Sequence, residues 1–391
     1  MLDTGFSPWP SFTPEEVAVV AAVLGSNRVN YWTGQEGRNF EREFARWAGT
    51  EHAIALANGT VALDLALAAL GVGPGDEVVV TPRTFIASVS SVVLAGATPV
   101  FADVDRNSGN ITAKSISRVL TPRSKLVIPV HLAGWPCDME AICALAKDRN
   151  LMVIEDCAQA HGAMIGDRSV GSFGDVGAWS FCQDKIITTG GEGGMVTTND
   201  RALWKRMWSY KDHGKDWDAV YERKHPAGFR WVHEHFGTNW RMLEMQAAIG
   251  RIQLGHLAAM TRLRTRNAEA IREALATHPA VRVPVPASRM RHAYYRQYAY
   301  VDPAALAAGW DRDRIVAEVT AQGIPLFQGS CSEVYLEKAF DGTGWRPQEP
   351  LPIARELGET SLMFLVHPTL TEAEIARTCD VVGAVLKAAT R

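Results

Sequence analysis

The chain has 391 residues, of which 47% are hydrophobic and 21% charged, and its formal net charge is −3. This length is ample for two packed domains, and the even spread of Lys and Arg argues against a nucleic-acid partner. No apolar run approaches the roughly 20 residues of a membrane-spanning helix, so we expect no membrane partner. Six cysteines without a CxxC pair, and no recognisable signal peptide, predict reduced thiols and a cytoplasmic location.

The first half of the chain alternates apolar strand-like runs with segments of helical periodicity. The strand-like runs include DEVVVTP, ATPVFADVD, SKLVIPVHLAG and LMVIEDC. The helical segments between them include VALDLALAALGVG, FIASVSSVVLAG and DMEAICALAKDRN. Buried strands separated by crossover helices predict an α/β domain with a mainly parallel sheet. Ligands of such sheets bind beyond the carboxyl ends of the strands, and Asp156 lies at one of these ends.

The second half begins with an aromatic and charged region, residues 201–240, for which we predict loops and short helices. A long helix follows, and the sequence does not decide whether it is kinked at Gly250 or Gly255. After it, RQYAYVDP and GIPLF predict strands, and DRDRIVAEVTAQ and TEAEIARTCDVVGAVLKAA predict helices. We therefore expect a large domain over residues 1–250 and a smaller C-terminal α+β domain over residues 251–391.

Two ionisable side chains, Asp156 and Lys185, lie 29 residues apart, each after an apolar strand. Burial in an apolar, glycine-rich segment lowers a lysine's pKa and frees its amine for Schiff-base chemistry. Taken alone, Lys185 is better explained as a structural or surface lysine, and Asp156 as a turn or helix cap. Together they match a pyridoxal phosphate site, where a lysine binds the aldehyde and an acid pairs with the pyridinium nitrogen.

The chain also resembles a known family at nine stretches that follow one another in order. It is similar to the DegT/DnrJ/EryC1/StrS family of sugar aminotransferases, which depend on pyridoxal 5'-phosphate and have fold type I of the aspartate aminotransferase superfamily. This resemblance implies a three-layer αβα large domain with a mainly parallel sheet. The matching stretches are TGQEGRNFEREFARWAGTEHAIALANGTVALDLAL, GDEVVVTPRTFIASVSSVVLAGATPVFADVD, PVHLAGWPCDM, VIEDCAQAHGA, GSFGDVGAWSF, KIITTGGEGGMVTTND, KDHGK, GTNWRMLEMQAAIG and GIPLF.

The resemblance implies roles for four residues around the cofactor ring. Lys185 would form the Schiff base and later move a proton between the substrate carbon and the cofactor. Asp156 would pair with the ring nitrogen, while Glu155 should point the other way along the strand. Gln159 would lie against the ring or bond its phenolic oxygen, and Phe85 would stack on the opposite face. Without the resemblance, Phe85 is more simply a core residue and Gln159 a solvent-facing one.

The resemblance also implies how the phosphate is held. Gly59 and Thr60 would bind it at a helix N-terminus, where free N–H groups and the helix dipole favour an anion. Ser180 would donate a further hydrogen bond, and Asn239 would reach the phosphate of the neighbouring subunit. The minimal unit would then be a homodimer with shared active sites. The simpler alternatives are a helix cap for Thr60 and ordinary polar positions for Ser180 and Asn239.

The substrates follow from the same resemblance. Glutamate would give its amino group and leave as 2-oxoglutarate, and a nucleotide-linked keto-sugar would receive the group at C3 or C4. Arg223, Lys224 and Arg230 are candidates for the diphosphate, although such residues are usually just solvated. Many relatives carry a His-Tyr-Pro stretch after GIP, where this chain has LFQGSCSEVYLEKAF. Because of that departure, the sequence does not decide which sugar accepts the amino group. The acceptor could also be a cyclitol or a sugar without a nucleotide.

Several other functions fit the sequence less well. Relatives that dehydrate their sugar have histidine in place of the Schiff-base lysine, so Lys185 argues against a dehydratase. No GxGxxG follows the first strand, which argues against a nicotinamide enzyme. His131, His161 and His213 lie in family-like stretches but are better explained as structural residues. No spacing of His, Cys, Asp or Glu residues predicts a metal site. The resemblance to the family suggests a pathway to surface polysaccharides or antibiotic sugars.

Overall fold

The computed structural model describes residues 5–224 and 230–391, in which strands and helices alternate as predicted through the first half of the chain. None of the helices in these ranges is both long and apolar enough to cross a membrane. The strands are β1 (His52–Leu56), β2 (Glu77–Val80), β3 (Thr98–Phe101), β4 (Ser124–Ile128), β5 (Met152–Asp156), β6 (Met164–Ile165), β7 (Arg168–Ser169), β8 (Val176–Ser180), β9 (Gly194–Thr198), β10 (Val281–Arg282), β11 (Met290–Arg291), β12 (Gln297–Val301), β13 (Leu326–Phe327) and β14 (Ser361–Phe364). The helices are α1 (Pro14–Gly25), α2 (Glu36–Ala48), α3 (Gly59–Ala69), α4 (Ala87–Leu94), α5 (Ala113–Ser117), α6 (Met139–Asp148), α7 (Arg201–Lys211), α8 (Trp217–Tyr221), α9 (Glu244–Leu275), α10 (Arg312–Thr320), α11 (Pro352–Thr360) and α12 (Glu372–Ala389).

A seven-stranded sheet in the order β1-β9-β8-β5-β4-β2-β3 forms the centre of the large domain. Only β9 runs against the others, since it pairs antiparallel with both β1 and β8. The inner strands are buried on both faces, which explains their continuous apolar runs. The predicted α/β fold with a mainly parallel sheet is confirmed. Because β5 and β8 are parallel neighbours, their last residues, Asp156 and Ser180, lie at the same edge of the sheet.

The region after the sheet is more regular than predicted. Residues 201–211 form the helix α7, whose N-terminus is capped by the Asp200 side chain through the N–H groups of Ala202 and Leu203. The prediction of loops and short helices is therefore wrong for this part, although the short helix α8 agrees with it. Aspartate is a preferred N-cap residue, so Asp200 could have been used to predict the start of this helix.

The long helix α9 runs for 32 residues without interruption through Gly250 and Gly255. A Cβ atom at Gly250 would lie 2.6 Å from two ring carbons of Phe40 and 3.0 Å from a methyl carbon of Thr189. At Gly255 nothing lies within 4 Å of such an atom. Gly250 therefore allows α9 to pack closely against α2, and neither glycine interrupts the helix, so the kink stays a prediction.

This difference between the two glycines predicts opposite effects on stability. Gly250→Ala should lower the free energy of unfolding by roughly 1–3 kcal/mol, because overpacking outweighs the better helix propensity of alanine. Gly255→Ala should raise it by about 0.5–1 kcal/mol, since only the propensity changes. Urea unfolding of both variants measures the difference, and equal stabilities would contradict the packing explanation.

The C-terminal part contains an antiparallel sheet in the order β10-β12-β14-β13, packed with α10, α12 and the end of α9 around its own core. The predicted strands and helices of this part are confirmed. The expected domain boundary at residues 250 and 251 falls inside α9 and stays a prediction. Residues 334–340 pack back on the large domain, where the rings of Tyr335 and Phe340 lie 5.4 and 5.8 Å from that of Phe101.

Candidate active site

A cavity of about 710 Å³ opens at the carboxyl edge of the central sheet. It brings together all the cofactor-site residues predicted from the sequence except Asn239. The predicted residues that line it are Gly59, Thr60, Phe85, Asp156, Gln159, Ser180 and Lys185. Gly329 and Ser330, from the stretch that departs from the family pattern, line it as well.

Asp156 ends β5 as a buried carboxylate with neutral hydrogen-bond donors. Its Oδ2 accepts a hydrogen bond from the Ser88 hydroxyl at 2.8 Å, and its Oδ1 accepts one from the Ala158 N–H at 3.1 Å. Burial raises the pKa of Asp156, and these hydrogen bonds and the more distant Lys185 offset the rise only in part. A cationic group placed in the cavity against this carboxylate would relieve the cost of its burial.

Lys185 lies across the same cavity, with its Nζ atom 3.6 Å from Asp184 Oδ1 and 5.2 Å from the centre of the Tyr295 ring. Its carbonyl accepts a hydrogen bond from Trp9 Nε1 at 3.0 Å, which ties the N-terminal arm to this loop. Burial is the largest single effect and lowers the pKa of Lys185, but Tyr295, Asp184, Cys182 and Asp156 together raise it by more, so the net shift is upward. The expectation of a lowered pKa is therefore wrong for the chain by itself, because its anionic neighbours outweigh desolvation.

The N-terminus of α3 forms a cradle for an anion. Asn58 Oδ1 accepts the N–H of Val61, while Gly59 and Thr60 begin the first turn, so their N–H groups have no partner within the helix. A Cβ atom at Gly59 would lie 2.5 Å from the Cβ of Ser180. Glycine is thus needed for the close approach of this helix end to the Ser180 hydroxyl. Backbone donors, the helix dipole and a hydroxyl together suit a phosphate group.

Two side chains of the cavity wall suit a flat ring. Phe85 is 69% exposed, which overturns the simple expectation of a core phenylalanine and leaves an aromatic face open to a ligand. Gln159 is buried, and its Oε1 accepts the N–H of Ala133 at 2.7 Å. That bond fixes the amide orientation and leaves the Nε2 donors of Gln159 for another partner. The carboxylate, the phosphate cradle and this wall together fit pyridoxal 5'-phosphate.

Glu155 points away from the cavity, as predicted from the alternation of side chains along β5. Its carboxylate accepts hydrogen bonds from the N–H groups of Gly171, Phe173 and Gly174. It also lies 3.1 Å from His131 Nε2, while His131 Nδ1 accepts the N–H of Cys137. The possible ligand atoms of His131, Glu155 and Cys157 lie within 4.8 Å of one another. Because Glu155 and His131 are already hydrogen-bonded within the protein, we interpret this cluster as structural.

His161 is buried against the rings of Trp179 and Phe181, and in the described part of the chain neither of its ring nitrogens has a hydrogen-bond partner. Burial, followed by the charges of Lys185 and Arg264, lowers the pKa of His161 to about 3. It is therefore a neutral core residue at physiological pH, in agreement with its exclusion from the catalytic set.

The lowered pKa of His161 predicts a pH dependence of stability. The folded protein favours the neutral form of His161. The contribution of this neutral form to the free energy of unfolding is therefore present above the ordinary pKa of 6.5 and is lost as the pH falls towards 3. From pH 7 to pH 5 the wild-type chain should lose about 2 kcal/mol more of its unfolding free energy than His161→Phe. Denaturant unfolding at both pH values measures this difference, and equal losses in the two proteins would contradict it.

The remaining predicted residues lie outside the cavity. Asn239 is exposed and forms a β-bridge with the buried residue Asp212. Arg223 pairs with Asp216 and Glu234, and His213 is exposed. Lys224 and Arg230 are also exposed and do not line the cavity of their own chain.

Sequence reasoning missed several residues of the site. Ser88 lies one turn after Phe85, in a stretch that already pointed to the cofactor, so its position on α4 was a usable signal. Tyr295 and Arg296 come from the C-terminal part, and the Tyr295 hydroxyl donates a hydrogen bond to Asp184. No local pattern marks these two residues, because only the packing of the C-terminal part on the sheet brings them to Lys185.

Comparisons with known proteins agree with this geometry. The model of the DegT/DnrJ/EryC1/StrS aminotransferase family matches residues 10–383. A solved aminotransferase from Psychrobacter cryohalolentis is 60% identical, with a TM-score of 0.96 over 98% of this chain and 99% of that one. A UDP-N-acetyl-3-dehydro-alpha-D-glucosamine 3-aminotransferase from Acidithiobacillus ferrooxidans is 39% identical over 89% of this chain and 88% of its own length. A GDP-perosamine synthase from Caulobacter vibrioides is 37% identical over 95% of this chain and 98% of its own.

Proposed function

Because the chain belongs to the DegT/DnrJ/EryC1/StrS aminotransferase family, we propose that it moves an amino group from glutamate to a nucleotide-linked keto-sugar, at C3 or C4. The observation that carries this proposal is that Lys185 and the buried carboxylate of Asp156 line the same cavity. The relatives that act on UDP- and GDP-linked sugars support the substrate class. The product would be an amino sugar for polysaccharide synthesis, as the similarity to a spore coat polysaccharide biosynthesis protein of Bacillus subtilis also suggests.

The enzyme is an aminotransferase that uses pyridoxal 5'-phosphate. When bound, this cofactor supplies an aldehyde for the amine and a ring that withdraws electrons from the substrate carbon. The N–H groups of Gly59 and Thr60 and the Ser180 hydroxyl would hold its phosphate, and Phe85 and Gln159 would hold its ring. Asp156 would keep the ring nitrogen protonated, since a buried carboxylate gains most from a cationic partner.

Lys185 would carry the reaction at its Nζ atom. It would attach the cofactor in the resting enzyme and, once displaced by the substrate amine, move a proton to or from the substrate carbon. The upward shift in the pKa of Lys185 implies that its ammonium must lose a proton before it can act as a base. Asp184 and the Tyr295 ring lie next to it and would keep Nζ aimed into the cavity.

Labelled amino transfer tests the proposed function. The purified enzyme, loaded with cofactor, is incubated with [¹⁵N]glutamate and a panel of UDP-, GDP- and dTDP-linked 3-keto- and 4-keto-sugars. Mass spectrometry should find the ¹⁵N label in a nucleotide-linked amino sugar, together with 2-oxoglutarate. Labelling of a cyclitol ketone, with no nucleotide sugar labelled, would contradict the proposed acceptor while retaining the aminotransferase.

We also propose a homodimer with shared active sites. Asn239 lies outside the cavity of its own chain, and two nearby aromatic side chains, Trp231 and Phe236, are 84% and 100% exposed. Such exposed aromatic side chains suit a protein–protein interface. We further propose a cytoplasmic location, which the six free cysteines support.

Complementation between two inactive variants tests the shared site. If Asn239 serves the partner's cofactor, mixing and reassembling Asn239→Ala with Lys185→Ala restores one intact site in each mixed dimer. Roughly a quarter of the wild-type activity should return in an equal mixture. No recovery, in mixtures shown to contain mixed dimers, would mean that Asn239 does not act across the interface.

A further inference from the structure

We propose that Arg296 binds the α-carboxylate of the amino donor, an inference that rests on the function proposed above. Among the residues that the structure describes, Arg296 is the only arginine that lines the cavity of Lys185. An amino-acid donor carries a carboxylate next to its reacting amine, and arginine is the side chain best suited to bind one in two-point fashion.

The position of Arg296 relative to Lys185 favours the donor over the sugar. Lys185 Nζ lies 3.6 Å from Asp184 Oδ1, and Arg296 NH2 lies 3.5 Å from Asp184 Oδ2, so the two cations flank one carboxylate. In an amino acid the α-carboxylate is attached to the carbon that bears the amine. In a nucleotide sugar the sugar ring separates the diphosphate from a ketone at C3 or C4. A cation this close to Lys185 therefore matches the amino acid.

The charges around Arg296 leave room for an anion. The fully buried Arg264 is close enough to Arg296 to feel its charge, and Nε and NH2 of Arg264 are unpaired among the described residues. Burial and then the charge of Arg296 lower the pKa of Arg264 to about 9. Within residues 5–224 and 230–391, Asp184 is the one carboxylate in ion-pair contact with Arg296, and it is shared with Lys185. The other acids of the cavity wall are Glu192 and Asp156, and the second is bonded to Ser88 and the Ala158 N–H.

Arg296 is also held in place before any ligand arrives. Its guanidinium stacks 4.1 Å from the centre of the Tyr295 ring, and NH1 donates a hydrogen bond to the Tyr295 carbonyl at 3.0 Å. Its side chain is only 12% exposed. Its NH2 group makes only long contacts, 3.5 Å to Asp184 Oδ2 and 3.4 Å to the Tyr295 hydroxyl, so a carboxylate from the donor can take a better position on it. A preorganised arginine loses little entropy when it binds.

The glutamate half-reaction of the cofactor-loaded enzyme tests this inference. Glutamate is titrated while the loss of the visible absorbance of the bound cofactor is followed in wild type, Arg296→Gln and Arg314→Gln. Arg314, which pairs with Glu318 on the exposed face of α10, is the matched control. Arg296→Gln should raise the half-saturating glutamate concentration by about 10- to 100-fold, and Arg314→Gln should leave it unchanged. The titration is repeated with isoglutamine, in which an amide replaces the α-carboxylate.

The isoglutamine comparison separates substrate binding from a structural role. Wild type should strongly prefer glutamate over isoglutamine, and Arg296→Gln should lose most of that preference while retaining bound cofactor and thermal stability. An unchanged preference in the variant would overturn the inference. A normal glutamate half-reaction with weaker keto-sugar binding would also overturn it and assign Arg296 to the sugar. A wild-type enzyme that accepts no amino group from glutamate would refute the proposed donor itself, and this inference with it.

Discussion

Replacing Lys185 by alanine is expected to reduce amino transfer by about 10³-fold or more, because one side chain both attaches the cofactor and moves the proton. The folded structure should persist, since Lys185 forms no fully buried ion pair and Asp184 remains partly exposed. Steady-state production of 2-oxoglutarate from glutamate measures the effect. Lys125→Ala, which removes a surface lysine paired with Asp76, is the control and should keep full activity.

A small primary amine added to Lys185→Ala sharpens this prediction. If Lys185 acts as a proton carrier at Nζ, an amine such as ethylamine that enters the cavity should restore part of the lost rate, in proportion to its concentration. A variant that retains more than about a tenth of the wild-type rate would contradict the assignment of Lys185 as the acid–base group.

Replacing Asp156 by asparagine is expected to lower the turnover rate by about 10²- to 10³-fold while leaving the cofactor-free protein as stable as wild type or more so. Asparagine can still accept the Ala158 N–H but cannot stabilise a protonated ring nitrogen. Burial raises the pKa of Asp156, so its charged form destabilises the folded, cofactor-free protein as the pH rises above that pKa. Removing the charge should therefore relieve this effect at neutral pH.

The two halves of the Asp156 prediction are measured separately, by turnover with glutamate and by thermal unfolding without cofactor. Ser88→Ala provides a matched comparison, because it removes the hydroxyl that donates to Asp156 and leaves the carboxylate. We expect it to lose less activity than Asp156→Asn. A large loss of stability in cofactor-free Asp156→Asn would contradict the view that Asp156 is placed for a ligand.

The part of the site at the sheet edge could be predicted from the sequence, because parallel strands place their carboxyl ends together. Asp156 and Ser180 end neighbouring strands, and Gly59 begins the helix after another strand of the same sheet. Their meeting in one cavity therefore follows from the strand pattern. The family resemblance then gave each of them a chemical role.

The other part of the site could not be predicted, because it depends on how the C-terminal part packs. Tyr295 and Arg296 reach the cavity of Lys185 from a distant stretch of the chain, and Tyr295 contributes with Asp184, Cys182 and Asp156 to turning the expected fall in the pKa of Lys185 into a rise. Gly250 was a candidate kink by propensity, yet its role is the close approach to Phe40, which requires the folded pair of helices. A role for Asn239 requires a second chain, which no pattern in one sequence can supply.

The central claim is that amino transfer takes place in the cavity that Lys185 lines. One absorbance measurement tests this claim most directly. The visible band of the cofactor-loaded enzyme is recorded before glutamate, after glutamate, and after a nucleotide-linked keto-sugar. We predict that glutamate removes the band, that the keto-sugar restores it, and that Lys185→Ala shows neither change at the wild-type rate. A protein that cannot bind pyridoxal 5'-phosphate, or a band that glutamate leaves unchanged, would contradict this account.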